Sequence, residues 1–231
     1  MTISDRVQAV RERLAVAAAR SGRSPEDVTL IAATKTRSVE EIAELVGCGV
    51  GDLGENYVQE LVGKRGAIDS LGGLSVSWHM IGHLQRNKVR YLVPGVALIH
   101  SVDNLPLAQE IDRRAAQSGQ RQPVLLEVNI AGEDTKTGVA PAEVAALAAA
   151  VVELPHVELQ GLMGMPPYSD DPEESRPHFR ALAALAASLE GELAPGAMRH
   201  LSMGMSGDYE VAVEEGATLV RLGTVLFGPR A

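Results

Sequence analysis

Lys35 stands near the end of an apolar, β-branched run, Val28-Thr29-Leu30-Ile31-Ala32-Ala33-Thr34-Lys35-Thr36. Pro25 precedes the run and Ser38 follows it, so the run reads as a buried parallel strand with the lysine at its carboxyl end. Open α/β sheets and α/β barrels bind ligands at that end of their strands. An amine withdrawn from water there gives up its proton more readily, and a neutral amine attacks an aldehyde to form a Schiff base. Taken alone, Lys35 also reads as an ordinary surface lysine just past a strand. Other apolar runs end in polar residues too: Glu55 and Asn56, His79 and His83, Glu127 and Asn129, then Ser202 and Arg221. A buried polar group left unpaired costs about 1–3 kcal/mol. Their recurrence at one end of successive runs suggests a shared site.

The last two runs suggest what that site takes. Ser202, Ser206 and Gly207 precede a short helix that begins near Asp208, and Gly223 and Thr224 follow the final run. Small residues let backbone N–H groups approach an anion, hydroxyls add donors, and a helix N-terminus favours negative charge. Opposite a lysine on the first strand, this describes a ligand with an aldehyde at one end and a phosphate at the other. Arg221 lies inside an apolar strand and needs a partner. Two readings stay open for it: an ion pair with a core carboxylate such as Glu127, or a donor to a ring nitrogen of the ligand.

The elements that would position these residues alternate along the chain. Apolar positions Ile3, Val7, Val10, Leu14 and Ala17 mark an amphipathic helix from Ile3 to Arg20. Eight strands follow, predicted to begin near Val28, Val50, Trp78, Val96, Val124, Val157, His200 and Thr218. Helical patterns separate them, the first capped by Ser38 with Glu41 three residues on. Eight such repeats predict an α/β fold, a single (β/α)8 TIM-type barrel with an extra N-terminal helix, filling residues 1–231 as one domain. A doubly wound sheet would want a glycine-rich loop after strand one, where Lys35-Thr36-Arg37 stands instead.

Composition narrows the function classes. Lys+Arg is 21 and Asp+Glu is 30, a net charge of −9 among 231 residues. That balance disfavours nucleic acid and anionic membrane surfaces as partners. Cys48 is the single cysteine, so no intrachain disulfide forms. A polar N-terminus and the lack of any apolar stretch near 18 residues predict a cytoplasmic protein without a signal peptide or membrane span. No Cys or carboxylate is spaced for metal binding. Without a long exposed apolar stripe, a monomer is expected.

Several blocks together carry a resemblance. Ala33-Thr34-Lys35-Thr36, Gly54-Glu55-Asn56-Tyr57-Val58-Gln59-Glu60 and Trp78-His79-Met80-Ile81-Gly82-His83-Leu84-Gln85-Arg86-Asn87-Lys88 resemble the YggS/PROSC family, as do Gly161-Leu162-Met163, Leu201-Ser202-Met203-Gly204-Met205-Ser206 and Arg221-Leu222-Gly223-Thr224. These are pyridoxal phosphate homeostasis proteins, similar to the barrel domain of alanine racemase. The resemblance spans nearly the whole chain. It implies pyridoxal 5'-phosphate (PLP) as cofactor, with Lys35 as the Schiff-base lysine and Arg221 facing the pyridine nitrogen. It implies Ser202, Gly223 and Thr224 at the phosphate, joined by Ser206 and Gly207, and Asn56, His83 and Met163 lining the pocket. Lys136 matches a loop lysine that helps cofactor exchange. The chain ends soon after strand eight, which leads us to expect no racemase-type second domain. The expected function is a PLP carrier in intracellular PLP homeostasis that passes its cargo to apo-enzymes through transient contact, with little or no catalysis. A low-activity PLP-dependent amino-acid racemase, with amino acids as further ligands, is the alternative. A Schiff-base enzyme acting on a sugar phosphate is a more distant one.

Overall fold

The computed structural model describes residues 1–133 and 137–229. Eight parallel strands close into a barrel in sequence order, each hydrogen-bonded to the next and the eighth to the first. They are β1 (Thr29–Ala33), β2 (Asp52–Glu55), β3 (Ser77–Met80), β4 (Leu98–Val102), β5 (Gln122–Val128), β6 (Val157–Gly164), β7 (His200–Ser202) and β8 (Leu219–Leu222). The helices are α1 (Ile3–Arg20), α2 (Val39–Gly47), α3 (Val58–Leu71), α4 (Leu105–Gln117), α5 (Val144–Val152), α6 (Arg176–Glu190), α7 (Tyr209–Glu214) and α8 (Thr224–Phe227). This is the (β/α)8 architecture with a helix added in front.

Local signals explain the boundaries. Ser38 Oγ accepts from the Glu41 N–H at 3.2 Å while the Glu41 carboxylate accepts from the Ser38 N–H at 2.9 Å, the reciprocal cap expected for α2. A second such cap, Thr2 with Asp5, starts α1. Strand limits differ from the sequence reading where the chain turns inward. β1 stops at Ala33, so Lys35 sits in the following turn, and β3 stops at Met80, so His83 belongs to a loop. Between β3 and β4 the helical pattern is realised as a 3₁₀ segment, Arg86–Tyr91.

Two apolar layers hold the barrel. Ile31, Leu98, Leu125, Met163 and Leu219 fill its interior. A larger layer joins the outer strand faces to the helices and includes Ile42, Leu45, Leu61, Ile111 and Phe179. Each fully buried side chain of this size contributes about 1.5–3 kcal/mol. α1 packs on α7 and α8 and so covers the seam where β8 meets β1. Gly161, at φ +147°, lies against β7 so closely that a Cβ would come within 1.9 Å of the His200 carbonyl oxygen. Among the described residues no helix is long and apolar enough to cross a membrane.

Candidate functional site

Side chains alternate across a strand, so every second residue faces the barrel axis. A cavity of about 450 Å³ opens at the carboxyl ends of the strands. Its wall carries Lys35, Asn56, His83, Ser206, Gly207, Arg221, Gly223 and Thr224. Eight of the ten residues picked out from sequence therefore meet in one cavity.

Lys35 is half-buried in a turn whose neighbours are tightly tethered. Thr34 Oγ1 donates to the buried Glu55 carboxylate at 2.6 Å, and Lys64 Nζ donates to that same oxygen at 2.6 Å. Lys64 also reaches the Thr34 carbonyl at 2.7 Å and Glu60 at 3.0 Å. Glu60 in turn accepts from the Thr36 N–H, and Thr36 adopts a left-handed φ of 64°. A non-glycine residue held there stores backbone strain that its surroundings must offset. Arg37 is fixed by Glu41 and by the Gly228 carbonyl. Within this turn Lys35 makes no hydrogen bond or ion pair with a described residue, so its amine remains available to the cavity.

Arg221 forms the cavity floor and is only 5 % exposed. Its guanidinium donates to Ser202 Oγ at 2.6 Å and to the Gly164 carbonyl at 3.3 Å. Burial lowers its pKa to about 10, which leaves it charged at neutral pH. The ion-pair reading for Arg221 is not realised: no salt bridge joins it to Glu127. Glu127, one of the strand-end polar residues and the core partner considered for Arg221, is itself a cavity residue. One of its oxygens accepts from Thr137 Oγ1, while Oε2 is buried without a partner, and burial pushes the carboxyl pKa up.

On the β7–β8 side, Ser206 Oγ accepts from the N–H groups of Gly223 and Val225 at 3.3 and 3.4 Å. Thr224 and Gly207 border the same corner. Asp208 also lies there, its carboxylate held by the Met205 N–H at 2.7 Å and by Ser175 Oγ at 3.1 Å. Gly82 presses on Asn56 so closely that a Cβ would meet the Asn56 carbonyl oxygen at 2.4 Å. The His83 imidazole, about half exposed, stands 3.7 Å from the Asp103 carboxylate.

Two expected site residues do not reach the cavity. Ser202 is fully buried between His100 and Arg221. Met163 packs into the interior apolar layer with Ile31 and Leu125. Both face the axis one layer too deep, and Met165, two residues on, takes the place on the wall. Tyr168 and Thr137 also line the cavity, from loops that carry no periodic signal. Lys136 lies outside the described residues. The cavity fits a phosphorylated aromatic aldehyde: on one side an amine with no partner among the described residues, hydroxyl and N–H donors on the other, and a donor-only guanidinium at the floor.

The family model for the alanine racemase N-terminal domain matches residues 6–231. The pyridoxal phosphate homeostasis protein of Aquifex aeolicus is 47% identical over 230 residues, covering 100% of this chain and 99% of that one. The protein of that name from Escherichia coli K12 is 39% identical, covering 99% and 97%. The solved structure of PipY from Synechococcus elongatus, with PLP bound, superposes with a TM-score of 0.85 at 33% identity, covering 98% of this chain and 100% of that chain. The chain belongs to the YggS/PROSC family of pyridoxal phosphate homeostasis proteins, built on the alanine racemase N-terminal fold.

Proposed function

We propose that the protein binds PLP as a Schiff base on Lys35, limits the free aldehyde, and passes the cofactor to apo-enzymes, with little or no catalysis of its own. The observation that carries this reading is the placement of Lys35, which has no partner among the described residues, in one cavity with Arg221 and the Ser206–Gly223–Thr224 corner. The PLP bound to PipY and the names of the relatives support the choice of cofactor. Bound there, PLP would supply an aldehyde for the lysine and an aromatic ring that withdraws electrons. Gly223, Thr224 and Ser206 would hold the phosphate, and Asn56 and His83 would bound the ring. Arg221 has donors only, so it would leave the ring nitrogen without a proton. A ring in that state withdraws electrons weakly, which favours carriage over carbanion chemistry.

The test is transfer. The protein would be loaded with PLP, freed of excess, and mixed with an apo-enzyme in the presence of a phosphatase that destroys free PLP. Recovery of the recipient's activity despite the phosphatase is expected. Recovery abolished by the phosphatase would contradict direct transfer. His83, placed on the cavity wall beside Asp103, is the residue that would serve the racemase reading. Loss of α-deuterium from alanine with the loaded protein, absent in His83→Ala, would favour that alternative.

A further inference from the structure

Beneath the cavity floor a row of buried polar side chains crosses the barrel. Arg221 donates to Ser202 Oγ at 2.6 Å. Ser202 Oγ lies 2.8 Å from His100 Nδ1. His100 Nε2 lies 3.0 Å from His79 Nδ1, and His79 Nε2 lies 3.1 Å from Asp52 Oδ1. The middle of the row is dry: Ser202 and His100 are fully buried and His79 nearly so. Asp52 borders a separate hollow of about 470 Å³ among the amino-terminal ends of β1 and β2, at the opposite mouth of the barrel.

The donor inventory sets the direction of these bonds. A guanidinium has no acceptor, so Ser202 Oγ must receive the Arg221 proton. The one remaining partner for the serine hydroxyl proton is His100 Nδ1. His100 Nδ1 is then an acceptor, so its Nε2 carries the proton and gives it to His79 Nδ1. His79 must likewise be protonated at Nε2, and it donates to the Asp52 carboxylate. With both imidazoles neutral, every polar atom of the row is satisfied. The reverse order strands the serine proton in a dry site, which costs about 1–3 kcal/mol. Burial, with His79 and Arg221 beside it, disfavours a charged His100.

We infer that Asp52, His79, His100 and Ser202 form a one-way hydrogen-bond relay that positions Arg221 from the far mouth of the barrel. These are positioning residues, since of the four only Ser202 touches the guanidinium, beside the Gly164 carbonyl, and the others act through it. Asp52 supplies the negative end, and the relay holds Arg221 toward β7 rather than toward the unpaired oxygen of Glu127. This inference rests on the PLP reading only for its consequence, not for the proton order.

The experiment is long-range ¹H–¹⁵N NMR of the imidazoles in the protein without added PLP, with wild type and Asp52→Ala. Asp52 is about one-third exposed, so its truncation leaves the core packing intact. In wild type, His79 and His100 are expected to be neutral and protonated at Nε2. In Asp52→Ala, the nitrogen shifts of both rings are expected to move, although His100 does not touch residue 52. PLP affinity is expected to weaken about threefold to tenfold, the equivalent of one hydrogen bond's net contribution, and Asp52→Glu is expected to restore it. Protonation of His100 at Nδ1, or a His100 signal and an affinity that ignore Asp52→Ala, would overturn the inference. A wild type that never binds PLP would instead defeat the PLP reading, and the proton order would still be decided by the nitrogen shifts.

Discussion

Glu127 places a carboxyl group on the cavity wall and leaves one of its oxygens buried without a partner. Burial raises its pKa above the ordinary 4.5. The folded state thus binds this proton more tightly than the unfolded chain does. The stability linked to it is whole below about pH 4.5 and is lost as pH rises through the raised value. Glu127→Gln cannot ionise. Its melting temperature is expected to exceed that of wild type at neutral pH, with the difference closing toward pH 4; a difference constant with pH would contradict the assignment. On the opposite wall, Ser206→Ala removes the hydroxyl that gathers the Gly223 and Val225 N–H groups. PLP affinity is expected to fall about threefold to tenfold by equilibrium titration, the range of one hydrogen bond, whereas unchanged affinity would remove Ser206 from the phosphate corner. Lys35 and Arg221 were legible in the sequence because a charge inside an apolar run needs a reason. Ser202 and Met163, which the resemblance sets at the ligand, lie beneath the cavity wall, because a period of two tells which face a residue takes, not how deep it lies.

At the scale of elements, buried parallel strands such as β1 and β5 declare themselves as short apolar runs, whereas the short β2 and β7 carry polar ends and are legible only from the strand–helix alternation around them. Their ends were harder to read. Thr34 and Lys35 continue the pattern of β1, yet the Lys64–Glu55–Glu60 cluster captures Thr34 and Thr36 and turns the chain after Ala33. Those partners are contributed by β2 and by α3, around twenty to thirty residues away in sequence, so no local window contains the signal. The close approach of β6 to β7 was equally hidden, since a lone glycine in a strand does not name what it touches. Gly161→Ala would push a methyl group into the His200 carbonyl and force a side chain onto φ +147°. By the usual cost of overpacking and incompatible backbone, a loss of about 2 kcal/mol or more is expected from the shift in denaturant midpoint. A midpoint within error of wild type would show that the β6–β7 contact is looser than described.

The molecule as a whole carries a net charge of −9, so long-range attraction does not recruit a phosphorylated ligand. Binding falls to local donors, and these are concentrated at the carboxyl mouth of the barrel. The barrel also explains why chemistry-bearing residues scattered from position 35 to position 224 share one cavity: each closes or follows a strand, and every strand ends at the same rim. That convergence is the central claim, and Lys35 is its pivot. The most direct measurement treats the protein with PLP and then borohydride, records the absorption spectrum before and after, and locates the modified peptide by mass spectrometry, with Lys35→Ala in parallel. The expected result is a visible Schiff-base band, bleached by reduction, with the pyridoxyl mass on Lys35 and neither signal in the variant. A reduced adduct spread over other lysines, or an undiminished band in Lys35→Ala, would contradict the account.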